Sequence, residues 1–171
     1  PTFSGRISGA GGLSVNAAGV TLTLSGNNTY TGNTAINSGK VITSHANALG
    51  SNSAVTLSNI SGALLQLNSS LNIGSLAGGG TTGGNLVLGA GAVLATGSND
   101  TSTSFGGAIS GAGGMTKVGS GTWTVTSNGT YTGATTVSAG HLVLSNNAPT
   151  TASSLFTGAG DLRIESVGTG F

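Results

Sequence analysis

The chain has 171 residues, 4% of them charged, with 33 Gly, 2 Pro, no Cys and a formal net charge of +1. That composition fits neither a helical bundle nor a charged disordered tail, while 36% hydrophobic residues and a mean hydropathy of +0.25 suffice to build a core. The cations Arg6, Lys40, Lys117 and Arg163 are scattered, so there is no basic stripe for nucleic acid and no polybasic anchor for lipid, and no apolar run is long enough to embed a membrane segment.

The first element, Phe3-Ser-Gly-Arg-Ile-Ser-Gly-Ala-Gly-Gly-Leu13, returns as Phe105-Gly-Gly-Ala-Ile-Ser-Gly-Ala-Gly-Gly-Met115, an offset of 102 residues. Thr29-Tyr-Thr-Gly32 then returns as Thr130-Tyr-Thr-Gly133, an offset of 101, so one deletion separates two otherwise aligned copies. Such periodicity is the signature of a solenoid, whose units bury their apolar faces against one another. Along the chain, apolar residues alternate in short pairs: Leu22/Leu24, Val55/Leu57, Leu65/Leu67, Leu86/Leu88, Trp123/Val125, Leu142/Leu144 and Leu162/Ile164. This is strand period, and the Gly, Asn and Ser between pairs leave no room for crossover helices.

The predicted fold is therefore all-β, a right-handed single-stranded parallel β-helix over residues 1–171. Related units stand at about 3–44 and 105–145, and a degenerate third copy starts near residue 156. Coils of about 20–25 residues, each with three short strands, stack about 4.8 Å apart; seven or eight of them make a rod of about 35 Å, and one repeat spans four or five. Inward Leu, Val and Ile stack on like residues, and charges play little part. Leu22 and Trp123, in matching places, face the core, and Phe3, Phe105, Phe156 and Phe171 are core or coil-capping residues. Gly26-Asn27-Asn28 and Asn128-Gly129 are read as corners, because Gly and Asn tolerate the left-handed region.

Chemistry finds few candidates. The carboxylates are Asp100, Asp161 and Glu165, and strand alternation puts Asp161 and Glu165 outward beside Arg163 as a solvated ion pair rather than an acid–base couple. His45 and His141 stand alone, without a His, Cys or acid at ligand spacing, which gives no metal site. Gly9-Ala-Gly-Gly12 and Gly111-Ala-Gly-Gly114 lack the Gly-Lys-Ser ending and the helix of a phosphate loop. No catalytic, cofactor-binding or metal-binding residue is assigned. Absence of Cys suits export through a bacterial periplasm. The chain starts inside one motif and stops soon after another begins, without a signal-peptide pattern, so it reads as a piece of a longer protein.

Taken together, Phe3-x-Gly-x-Ile-Ser-Gly-x-Gly-Gly-Leu13, Leu22-Thr-Leu-Ser-Gly-Asn-Asn-Thr-Tyr-Thr-Gly32 and Ile36-Asn-Ser-Gly39 resemble the passenger-associated transport repeat of bacterial autotransporters. The second copy, Met115-Thr-Lys-Val-Gly-Ser-Gly-Thr-Trp-Thr-Val125 through Thr130 to Leu144, is similar nearly position for position; the first lacks the Lys-x-Gly-x-Gly-Thr element. The resemblance implies an exported passenger at the bacterial cell surface, secreted through a C-terminal outer-membrane β-barrel. The expected function is a non-catalytic structural or adhesive rod, with copies of itself or a cell-surface receptor as partners. The alternative is an ice- or surface-binding solenoid using Thr21/Thr23, Thr122/Thr124 and Thr130/Thr132 as a flat hydroxyl face.

Overall fold

A computed structural model describes residues 1–127, 129–145 and 156–165, with side chains in the last segment from Thr157 to Arg163. The expectations for Asn128, Phe171 and the side chains of Phe156, Ile164 and Glu165 fall outside the described residues. Every regular element described is a strand, every strand pairing is parallel, and no helix is long and apolar enough to cross a membrane. The fold is the expected parallel β-helix.

Three ladders run along the rod. Residue by residue, the first stacks Phe3, Leu24, Thr43, Leu67, Leu88 and Gly111. The second stacks Val15, Ile36, Leu57, Gly78, Phe105, Val125, Leu144 and Ile164. The third stacks Ile73, Thr96, Lys117 and Val137; nearer the N-terminus its place is held by Ser8–Gly9 paired with Thr29–Tyr30, and then by a turn over residues 45–49. Seven steps separate Val15 from Ile164 on the second ladder, about 34 Å at 4.8 Å per step.

Coil length varies more than the expected range, from the 19 residues between Leu22 and Val41 to the 27 between Gly78 and Phe105. The long coil carries its surplus in a turn closed by Gly80 N donating to Gly83 O at 2.9 Å, and Asn59 Oδ1 of the preceding coil fastens it by accepting from Thr82 N and Gly83 N. Early in the chain the strands are not short. Leu13–Leu24 and Thr34–Thr43 run through a bend with register shifts on either side of Asn16, fusing two faces into one twelve-stranded sheet.

The inward members of the alternating pairs form one continuous apolar core from Val15 to Leu144, each large side chain contributing about 1.5–3 kcal/mol by leaving water. Phe105 and Trp123 lie fully inside as expected. Phe3 does not: it is 43% exposed, its ring folded over Gly5, because no described strand covers the first coil from that side. For the same reason Leu22, one coil further in, is only partly buried where Trp123 is 2% exposed.

Corners follow from backbone chemistry. Gly9 and Gly111 take φ values of 111° and 106°, which suit Gly alone. Asn28 is different from the expectation, since the sole non-Gly residue with positive φ among those described is Asp100, at 59°. Asn28 turns its amide inward instead, at 1% exposure; Oδ1 accepts from Ile7 N at 2.8 Å and Nδ2 donates to Ala48 O at 2.7 Å. One side chain thereby ties three successive coils.

The registers also set the phase of the repeat. Phe3 stands on the first ladder and its counterpart Phe105 on the second; Val15 stands on the second and its counterpart Lys117 on the third; Gly9 holds the third place and Gly111 the first. A repeat of 101 or 102 residues is thus between four and five coils, and each copy is turned by one face relative to the last.

Candidate functional site

Features shared by both copies lie inside the rod. Tyr30 and Tyr131 are buried, and each hydroxyl is hydrogen-bonded at 2.6 Å to a Thr four residues on, Thr34 and Thr135. Ser53 extends the first network by bonding Thr34 at 2.9 Å and donating to Gly32 O at 2.9 Å. Burial raises both tyrosine hydroxyls above their ordinary value, the hydrogen bonds offsetting part of the effect. Gly32 and Gly133, which follow the two tyrosines, press onto the coil before them: a Cβ there would come within 2.6 Å of the Gly11 carbonyl carbon and 2.3 Å of the Gly113 one. Any larger residue would pry the coils apart. The Tyr-Thr-Gly element is therefore a packing device, and the sequence showed the element without its inward bond.

Lys117 has an interior role that its sequence context does not reveal. In the sequence it stands among scattered cations, yet it is 1% exposed and fills the place Val15 holds in the first copy. Its Nζ donates to the carbonyls of Val118, Gly119 (2.8 Å) and Ala139 (3.4 Å), which groups two coils around one ammonium. Desolvation pulls its pKa down from the ordinary value, and the charge of Asp100 pulls it back in part. Asp100 is itself held in place, accepting from Ser120 N at 2.7 Å and Ser120 Oγ at 3.0 Å, and those bonds hold its carboxyl below the usual range. The Lys-x-Gly-x-Gly-Thr element thus has a physical reason: Gly119 provides the carbonyl and a φ of 68° at the corner.

Of the residues weighed for chemistry, His141 is not alone. Coil stacking pairs it with Asp161, 20 residues on, at 3.2 Å between Nδ1 and Oδ2, and Arg163 Nε donates to the same oxygen at 3.1 Å. The Arg163 bond comes first in lowering the Asp161 pKa. All three are about half exposed, so this is a solvated surface cluster. His45 accepts from Asn47 N at 3.0 Å within its turn. Among the described residues no three His, Cys, Asp or Glu gather as metal ligands. Elsewhere the surface is amides and hydroxyls joined coil to coil, as in Ser58 to Asn37 (3.2 Å) and Asn37 to Asn16 (2.9 Å). The Thr pairs do not share a face, since Thr21/Thr23 lie on the first ladder and Thr122/Thr124 on the second.

The family described as passenger-associated-transport-repeat matches residues 21–42 and 115–147, the two stretches that contain the buried Tyr–Thr pairs or their immediate setting. Over 110 residues, 64% of the chain, it is 38% identical to the adhesin BmaC autotransporter of Brucella suis biovar 1 (strain 1330). The likeness is to an autotransporter passenger. The chain spans 3% of that relative's length. No solved structure matches the chain. In the second match the passenger repeat includes Lys117, Trp123 and Tyr131, so its recognisable positions are interior ones.

Proposed function

We propose that this chain is a stretch of the stalk of an exported adhesin, carried on the bacterial cell surface and joined in the full-length protein to a C-terminal outer-membrane β-barrel. The likeness to an autotransporter named as an adhesin carries this reading. The character of the rod supports it: a stiff stack of coils, few charges, and a surface of amides and hydroxyls suited to many weak contacts. We read the chain as non-catalytic. Asp161 is engaged by Arg163 and His141, and Asp100 by Ser120, which leaves neither carboxylate placed as an acid–base partner of another. The one-face turn per repeat opposes the ice-binding alternative, because a lattice-matching array needs its Thr pairs on one plane.

Display decides the adhesive reading. The chain fused to an outer-membrane barrel and expressed on otherwise non-adherent cells should raise attachment to host-cell monolayers several-fold over cells carrying the barrel alone; equal attachment overturns it. Self-association along the axis is the second part of the proposal, since Thr2 and Phe3 pair with a neighbour on one side only among the described residues. Sedimentation should show concentration-dependent growth for the parent and none for a Thr2→Lys, Ser4→Lys variant. A parent that stays monomeric overturns that part alone.

A further inference from the structure

We propose that the cleft beside the turn at residues 45–49 binds a single uncharged sugar ring, the terminal or exposed residue of a neutral glycan. The cleft holds about 220 Å³ and is lined by Asn28, Thr29, Tyr30, Thr31, Asn47, Ser51 and Asn52. It exists because the third face is interrupted here. Below it lies Thr29–Tyr30; above it the chain makes consecutive turns, closed by Ala48 N to His45 O, Gly50 N to Asn47 O and Ser53 N to Gly50 O, where a strand would otherwise fill the space. Its volume falls below the roughly 300–1,000 Å³ of sites for drug-sized ligands, which suits one ring.

Three of the polar groups around it are held in advance, each with one function engaged and the complementary one open. Asn47 donates from Nδ2 to Asn27 Oδ1 at 3.0 Å, which leaves Asn47 Oδ1 as an acceptor. Asn52 Oδ1 accepts from Ser98 Oγ at 2.8 Å, which leaves its amide N–H₂ as donor. Thr29 Oγ1 accepts from Arg6 Nε and Nη2, at 3.1 and 2.9 Å, so its own hydroxyl proton is free to donate. Thr31 and Ser51 add hydroxyls at the exposed edge. Fixed amide acceptors and donors beside hydroxyls, with no charged residue in the lining itself and the adjoining Arg6 guanidinium engaged by Thr29 Oγ1, match the alternating donor and acceptor character of sugar hydroxyls and lose little ordering entropy on binding. The floor is rigid, as Asn28 is tied to Ile7 and Ala48, and Gly50 seats against the Tyr30 carbonyl.

This deepens the adhesive reading and depends on it for biological use, but not for binding itself. The test is saturation-transfer NMR of the chain with the methyl glycosides of glucose, galactose, mannose and N-acetylglucosamine, with methyl glucuronide as the charged comparison. At least one neutral glycoside should bind with Kd on the order of millimolar, unchanged between 0.05 and 0.5 M NaCl. Asn47→Ala with Asn52→Ala should weaken it about tenfold or more, while Asn37→Ala, on another face, leaves it unchanged; thermal melts confirm that both variants fold. No transfer to any neutral glycoside, or binding of the glucuronide alone with loss in high salt, overturns the proposal. A chain that shows no transfer to any neutral glycoside yet still confers adhesion when displayed would sink this site and spare the adhesive reading. Sugar binding without adhesion would do the reverse.

Discussion

The two copies of the repeat are alike where they bury hydroxyls and differ where they bury mass and charge. Tyr30/Thr34 and Tyr131/Thr135 superimpose in partner and distance, whereas Val15 becomes Lys117, Leu22 becomes Trp123, and Asn28, which ties three coils, becomes Gly129. The first copy is thus closed by an amide bridge and an aliphatic core. The second is closed by a large aromatic and an ammonium caged in carbonyls. The same coil can be held by different interior chemistry provided each buried polar group keeps a partner, which a solenoid of nearest-neighbour contacts permits because each coil answers only to the next. Trp123 shows the limit of that rule, since its Nε1 is buried without a partner among the described residues.

The comparison breaks most readily at its largest difference. Trp123→Asp should cost about 3–5 kcal/mol, the range for an uncompensated buried charge, whereas Leu22→Asp, at a partly buried position, should cost about 1–2 kcal/mol. Urea midpoints measure both. Equal losses would mean that the first coil is as well covered as the second copy, contrary to the burial described.

Next is Lys117. Truncation by Lys117→Ala strands three carbonyls and opens a cavity, at about 2–4 kcal/mol; Lys117→Met fills that space but leaves the same carbonyls without a donor, so it should cost about 1–3 kcal/mol and less than Lys117→Ala. Stability against pH sharpens this. Because burial depresses the Lys117 pKa in the folded chain below its ordinary 10.5, the unfolded state binds more protons between the folded value and 10.5, so stability rises with pH across that window and the full desolvation cost applies below it. Tyr30 and Tyr131, raised from 10.0 by burial, run oppositely: their contribution is complete below pH 10 and lost above it. Urea melts from pH 8 to 11 should show the rise in the parent and not in Lys117→Met, with the later fall in both. A rise that survives in Lys117→Met would assign it elsewhere.

The smallest effect tests what the copies share. Tyr30→Phe and Tyr131→Phe should each cost about 1 kcal/mol, the net worth of one buried hydrogen bond. Unequal losses, seen as different shifts of the urea midpoint, would show that the matching 2.6 Å bonds are not energetically equivalent.

Much of the fold is legible in the sequence. The alternating pairs from Leu22/Leu24 to Leu142/Leu144 require strands, the Gly- and Asn-rich intervals exclude crossover helices, and the offset of 101 or 102 residues requires stacked units. All three are local: side-chain period and backbone permissiveness are written residue by residue. What lies between residues about 20 apart is not legible, because the lengths of the connecting turns set which residues meet, and coils of 19 to 27 residues leave that register open. Hence His141 reads as solitary although Asp161 sits on it, Asn28 reads as a corner although it is a bridge, and Lys117 reads only as one of four scattered cations although three carbonyls enclose it. The cleft beside residues 45–49 is of the same kind. Its amides are spread over residues 28 to 52, and only stacking the turn above Thr29 and Tyr30 brings them around one space. Sequence alone determined that this chain coils, because strand period and repeat are properties of the chain itself; tertiary structure decided what each coil sets against its neighbour, because that depends on register, and register is fixed only when the coils stack.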